Sequence, residues 1–310
     1  ALIIDEEIQD GWQLPEWCQE LPSNPPQGVQ KRLATWLSSS EKNVIAQALP
    51  TINYLDFVLD EIVPRFDVLV LTGFNVLLGL FLHKPYYAFE CSTLRNLSQM
   101  HDSKNQVLKI AYQHARLTWI TNPDTRRYAL QYNIPHAFML HSVDIYDKFT
   151  PDGPLVPLPP NEKDKPFPIC FAPARHVQET DLANKGNRKL IRAFNHFQKE
   201  KFDSLLLLTK QGDYVKANEI YVQSFPALQD KVTWLPFVCK KALARIYRSS
   251  DICVDQFDIG SWGTSGLEAL ACARPCLGYI ESKYLDWCHG VLTSAPPYCQ
   301  ARTEADIIRW

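Results

Sequence analysis

The chain has 310 residues and 46% of them are hydrophobic, enough for two domains of roughly 100–200 residues each. Its formal net charge of −2 argues against a nucleic-acid surface, which carries a basic excess. No apolar run reaches the ~20 residues of a membrane helix, and nine scattered cysteines read as core thiols of a reducing, cytoplasmic compartment. Cys272 and Cys276 share an i, i+4 spacing on an expected helix, and without a second pair they make no zinc pattern.

Taken in chain order, residues 66–72 (FDVLVLT) form a short apolar run that suits a buried parallel strand. A second run follows at 86–89, then a helix-like stretch at 104–115, a strand at 117–121, a helix at 124–132 and a strand at 137–140. Residues 150–168 hold seven prolines, which neither a helix interior nor a central strand accepts. This stretch is expected to be a linker.

The same rhythm resumes beyond it. Strands are expected at 167–171, 204–209, 232–235, 252–255 and 275–279, and helices at 188–199, 214–225, 242–249 and 266–273. Strands alternating with helices make βαβ units and parallel sheets. The expected fold class is therefore α/β, with two facing Rossmann-like domains whose cleft is the default ligand site. The chain opens on Ala1 rather than Met, and 301–310 reads as a helix with no stop signal, so both ends are expected to be incomplete.

The segment richest in chemistry is 251–278 (DICVDQFDIGSWGTSGLEALACARPCLG). A strand ends in acidic residues, a glycine-containing loop follows, and a helix starts near Ser265. That order offers free backbone N–H groups and the positive end of a helix dipole, which bind phosphate. Glu268 has two readings. It is either the N3 partner of Ser265 in a capping box or a carboxylate that accepts hydrogen bonds from ribose hydroxyls. A second cluster lies at 174–187 (ARHVQETDLANKGN), where Arg175 and Lys185 sit between a strand and a helix and can converge on one anion. A solvated charged loop is the other reading of that pair.

Residues 268–275 (EALACARP) resemble the signature of the retaining family-4 glycosyltransferases, which have the GT-B fold. The resemblance implies that Glu268 contacts the donor ribose and that Gly263, Thr264, Ser265 and Gly266 hold the diphosphate. It further implies that Pro236, Phe237 and Val238 frame the nucleotide base. Arg175 and Lys185 match the family's Arg and Lys-Gly, and the implied role is to neutralise the leaving diphosphate. The family's upstream glutamate falls on Gly260, and Asp258 is the nearby carboxylate that can substitute for it. In the first half, 85–97 (PYYAFECSTLRNL) is a looser match. Glu90 and Cys91 stand where the family has His-Gly, Arg95 matches, and Glu90 and Arg95 are the implied acceptor-side residues. Residues 140–151 resemble the segment before the family's linker.

The resemblance implies an N-terminal acceptor-side domain over 1–150, a linker over 151–168 and a C-terminal nucleotide-sugar-binding domain over 169–310. The implied activity is transfer of a sugar, with retention of configuration, from a nucleotide-diphosphate sugar to a glycan, lipid or small-molecule acceptor. No cofactor and no metal are expected. Nor is a nucleic-acid partner or a transmembrane segment, and peripheral membrane contact is compatible with the sequence. Two other readings fit the same architecture. One is a sugar-nucleotide epimerase using Glu90 or Asp258 as acid–base groups. The other is a non-catalytic nucleotide-sugar-binding subunit, which Gly260 and the missing histidine motivate.

Overall fold

This computed structural model describes residues 32–48, 59–60, 63–97, 103–156, 168–200, 203–288, 290–292 and 294–310. Most of the expected linker lies outside them. The described chain divides into two units, one ending at Leu140 and one beginning at His141.

In the first unit, helix α1 (Ser39–Ala48) precedes β1 (Leu69–Thr72), β2 (Tyr86–Glu90), α2 (Thr93–Leu97), α3 (Ser103–His114), β3 (Thr118–Ile120), α4 (Arg126–Gln131) and β4 (His136–Phe138). The four strands are parallel and lie in sequential order, β1-β2-β3-β4. The apolar residues after β1 coil into a 3-10 segment, Gly73–Phe81, that buries Val76, Leu77, Leu80 and Phe81. They are core rather than a span, and no described helix is long and apolar enough to cross a membrane. The helix expected over 124–132 is split. Pro123 opens a 3-10 turn, Pro123–Thr125, and the α-helix begins only at Arg126.

The second unit runs β5 (Ile169–Ala172), α5 (Asn187–Lys199), β6 (Leu205–Thr209), α6 (Val215–Gln223), β7 (Val232–Leu235), α7 (Lys240–Ser249), β8 (Ile252–Val254), α8 (Thr264–Ala271), β9 (Cys276–Gly278), α9 (Leu285–Cys288), β10 (Cys299–Gln300) and α10 (Glu304–Arg309). Its six parallel strands are ordered β10-β9-β8-β5-β6-β7. The unit's first strand is central, the next two lie on one side and the last three on the other. This is the doubly wound order, in which the strand sequence reverses between β5 and β8. Every residue of β6 (LLLLT) is buried, as a strand covered on both faces requires. Leu190, Ile191 and Phe194 of α5 pack with Leu206, Leu208, Val254 and Leu277 in the core.

Cys272 and Cys276 do not share a helix. The chain leaves α8 at Cys272, Ala273 takes a left-handed φ of 55°, and Cys276 lies on β9. No disulfide joins any of the described cysteines. The final helix starts at Glu304, capped reciprocally by Thr303 and Asp306, and the short strand β10 precedes it.

In the first unit, Arg95 forms a two-pronged ion pair with Asp124, at 2.6 Å through each nitrogen, and both side chains are only 2% exposed. Removing one partner of such a pair leaves a buried charge unpaired. Asp124→Ala is therefore expected to cost about 3–5 kcal/mol in urea unfolding, and an apolar replacement of both partners is expected to restore most of it. Additive losses in the double variant would contradict this.

Candidate functional site

In an open parallel sheet, ligands bind outside the carboxyl ends of the strands where the order reverses. Here those strands are β5 and β8. The loop after β5 carries Arg175 and Lys185, and the loop after β8 leads into α8. The two loops are tied together. Phe257 N–H donates to the Lys185 carbonyl at 3.0 Å. The Asn184 side chain donates to Asp258 at 3.0 Å and accepts from Gly186 N–H at 2.9 Å.

Arg175 is exposed and has no ion pair or hydrogen-bond partner among the described residues. Lys185 is half-buried. The neighbouring His176 is fully buried, and burial pushes its imidazole down to about 4, so it is neutral at physiological pH. Its Nδ1 meets Asn218 at 2.9 Å, its ring lies against Trp234, and its backbone bonds to Gln211 and Tyr214. His176 is thus a core anchor that fixes the backbone from which Arg175 projects.

Asp255 shapes the second loop. It is buried, and its Oδ2 accepts Gly263 N–H at 2.6 Å and the Tyr298 hydroxyl at 3.0 Å. A Cβ on Gly263 would lie 2.7 Å from Asp255 Oδ1, and one on Gly266 would lie 1.7 Å from the Tyr298 hydroxyl. Both positions must be glycine for the loop to close on these groups. Gln256 props the intervening turn, accepting Ile259 N–H at 2.8 Å and donating to the carbonyls of Ser261 and Tyr279.

Ser265 and Glu268 do not form the capping box that their spacing allows. Helix α8 begins at Thr264 with Gly263 as N-cap and no side chain capping it. Ser265 is the second helical residue, and Glu268 lies a turn further on. The N–H groups of Thr264, Ser265 and Gly266 have no acceptor among the described residues, as helix geometry leaves them. The Thr264 hydroxyl sits 3.3 Å from His141 Nδ1.

Glu268 is 2% exposed. One carboxylate oxygen is paired with Lys240, and the other accepts the Tyr247 hydroxyl at 3.3 Å. Burial pushes its pKa up, and the Lys240 ammonium pulls it back. Asp258 is exposed and pairs with Lys189. Gly260 has a φ of 75°, and a Cβ there would meet the Glu281 Cβ at 3.1 Å. Glu281 N–H also donates to the Gly260 carbonyl at 2.8 Å. After β7, Pro236 and Phe237 are exposed, Phe237 by 63%, and Val238 is buried.

In the first unit, Glu90 is fully buried at the end of β2 and accepts Thr93 N–H and Leu94 N–H, both at 2.9 Å. It holds the start of α2, and the Arg95 guanidinium is taken up by Asp124. Both acceptor-side candidates are therefore engaged internally. No group of three His, Cys, Asp or Glu side chains is placed to hold a metal among the described residues. Sequence reasoning missed Lys240, Tyr247, Tyr298, Glu281 and the anchoring role of Asp255. Only the last carried a signal, as an acidic residue closing an apolar strand.

No protein-family model matches the chain, and no curated protein does. Solved structures do resemble it. The sucrose-phosphate synthase of Thermosynechococcus elongatus superposes with a TM-score of 0.56 at 17% identity, over 83% of this chain. The chain spans 64% of that synthase's length. Anabaena Alr3699/HepE, solved with UDP and glucose, gives 0.54 at 10% identity over 94% of this chain and 86% of its own. The E. coli trehalose-6-phosphate protein, solved with UDP-2-fluoro glucose, gives 0.56 at 11% over 82% and 67%. The fold is GT-B. In GT-B terms, the unit from His141 on has the doubly wound sheet, and its switch point carries Arg175 and the open start of α8.

Burial pushes the Glu90 carboxyl up to about 7 from an ordinary 4.5. A raised carboxyl favours the folded state while it is protonated, so that contribution is complete below pH 4.5 and fades towards pH 7. Relative to Glu90→Gln, the natural protein is expected to lose about 3 kcal/mol of stability over that window, at 1.36 kcal/mol per unit. Paired urea titrations across the window check this, and a flat difference would mean that the two N–H donors keep Glu90 ionised.

Proposed function

We propose that this chain is a glycosyltransferase that moves a sugar from a nucleotide-diphosphate donor to an acceptor hydroxyl with retention of configuration. The observation that carries the reading is an unpaired, exposed Arg175 in the loop after β5, together with an uncapped, glycine-bounded helix start after the adjacent strand β8 at the switch point. A guanidinium and the free N–H groups of a helix start are both donors that suit a dianionic diphosphate.

In this reading the amides of Thr264, Ser265 and Gly266 cradle the diphosphate, with Arg175 and Lys185 flanking it. Glu268 accepts the ribose hydroxyls, and Pro236, Phe237 and Val238 border the base. As the bond from the anomeric carbon to the β-phosphate oxygen breaks, negative charge grows on the phosphate. Donors fixed in place beforehand stabilise that charge without reorganising. The leaving phosphate takes the acceptor proton, and the acceptor oxygen enters on the face the phosphate leaves. No metal is needed where these cations and the helix dipole meet the charge. The HepE and E. coli neighbours were solved with UDP or a UDP-sugar, so UDP-sugars head the donor panel.

A non-catalytic donor-binding subunit is the second reading, favoured by Gly260, whose left-handed φ disfavours a side chain. The epimerase reading has no such support, since Glu90 and Asp258 are both engaged in internal contacts.

Thermal-shift binding of UDP-, GDP- and ADP-sugars tests donor recognition. A donor at 100 times its Kd is expected to add about 2.7 kcal/mol of stability, and a folded Glu268→Ala to lose that response. No response to any donor would rule the reading out. Arg175→Ala is expected to unfold like the natural protein, because Arg175 has no partner among the described residues. Its donor turnover, by transfer or slow hydrolysis, is expected to fall about 100- to 1,000-fold with or without a chelator. Binding without any turnover by the natural protein would select the non-catalytic subunit.

A further inference from the structure

The pair formed by Glu268 and Lys240 has an asymmetry that the donor reading does not use. Glu268 is 3% exposed at its side chain, whereas Lys240 is 54% exposed. Lys240 opens α7, reaches inward to one oxygen of the Glu268 carboxylate, and lies over the Phe149 ring at 5.8 Å. Phe149 is itself buried, edge-on to Tyr247, and the Tyr247 hydroxyl meets the other Glu268 oxygen. One helix, α7, thus supplies both contacts, and an aromatic ring fixes where the ammonium can go.

A buried carboxylate with no cation nearby becomes a neutral acid. A neutral acid accepts fewer hydrogen bonds than the ionised form and donates one of its own. Two adjacent ribose hydroxyls that both donate need the ionised form.

We propose that Lys240 is the positioning residue that keeps Glu268 ionised and correctly turned to accept both hydroxyls of the donor ribose. The inference rests on the donor-site reading above and adds a residue that touches no substrate. Lys240 acts through Glu268 from the solvent side, where its remaining N–H groups stay hydrated. The groups facing Glu268 are Lys240 and Tyr247 from α7, Asp255 from the end of β8, and Cys272 at the end of its own helix. Of these Lys240 alone is a cation, and the Asp255 charge opposes ionisation. Burial, the larger effect, and Asp255 act against the charged form, and the ammonium, with the Tyr247 hydroxyl, offsets them in part.

The test compares the full-length natural protein with Lys240→Met and Lys240→Arg, using the donor that stabilises it best. Donor KM and kcat are measured from pH 5.5 to about 8.5, a span that brackets neutrality by more than one unit on either side. Lys240→Met is expected to raise donor KM about tenfold near neutral pH, equivalent to 1.36 kcal/mol. The acid limb of its pH profile is expected to move to higher pH, with the effect falling on KM more than on kcat. Lys240→Arg, which keeps the cation, is expected to restore most of the loss. Unchanged KM and an unmoved acid limb in a folded Lys240→Met would overturn the proposal.

A thermal-stability cycle of Lys240→Met, Glu268→Gln and the double variant, run at mildly alkaline pH, reads the pair without any donor. Coupling is expected, so that Lys240→Met shifts Tm in the natural background but not in the Glu268→Gln background. If coupling appears and no nucleotide sugar binds the natural protein, the donor-site reading has failed and takes this inference with it. If donors bind and the pair shows no coupling, this inference alone has failed.

Discussion

Asp255 closes β8 with 2% of its surface exposed, and its carboxylate accepts a backbone N–H from Gly263 and a hydroxyl from Tyr298. A buried charge has to be compensated by hydrogen bonds or it destabilises the fold. Here the compensation draws the chain back on itself and delivers it to the start of α8. The close approach leaves no room for side chains at 263 and 266. It also leaves the first N–H groups of α8 unclaimed. The loop's glycines and the open helix start are therefore consequences of a single carboxylate bound on two sides.

The cations around the switch point divide according to which of them has an acid in reach. Arg188 meets Glu179 and Asn218, Arg192 meets Glu304 and Glu179, and Lys189 meets Asp258. Each is on α5, where a neighbouring acid is close. Arg175 projects from a backbone that the buried His176 holds on both sides, and none of those acids pairs with it. Pairing consumes the helix cations as structure and leaves the loop cation available to a ligand. Mostly exposed ion pairs of this kind contribute little to stability, so their effect is chiefly to keep stray carboxylates occupied.

The strands were legible because a parallel strand covered on both faces is apolar along its length. β6 and β7 fall within a residue of where the sequence places them. Ends were harder to read where one residue overrides the pattern, as Pro123 does before α4 and the left-handed Ala273 does before β9. At the site, Arg175, Lys185 and the glycines were legible because strand, loop and helix follow one another directly in sequence. The local motif misled at Ser265 and Glu268, since spacing alone allows a capping box that the earlier helix start at Thr264 rules out. Lys240 and Tyr298 lay beyond sequence reasoning because their partners are 28 and 43 residues away. No periodicity links positions so far apart.

Gly260 carries a consequence for how this chain can change. Its left-handed backbone costs a residue bearing a Cβ about 1–2 kcal/mol, and Glu281 already occupies the space beside it. A glutamate introduced at 260 would meet both penalties at once, and only glycine at 281, which lacks that Cβ, together with a shift of the Tyr279 ring at 3.3 Å, would leave it the first alone. The two positions are thus epistatic, and the order of substitution matters. A route to a glutamate in this loop runs through 281, on a different strand's loop, so the identity of residue 260 is governed from outside its own motif.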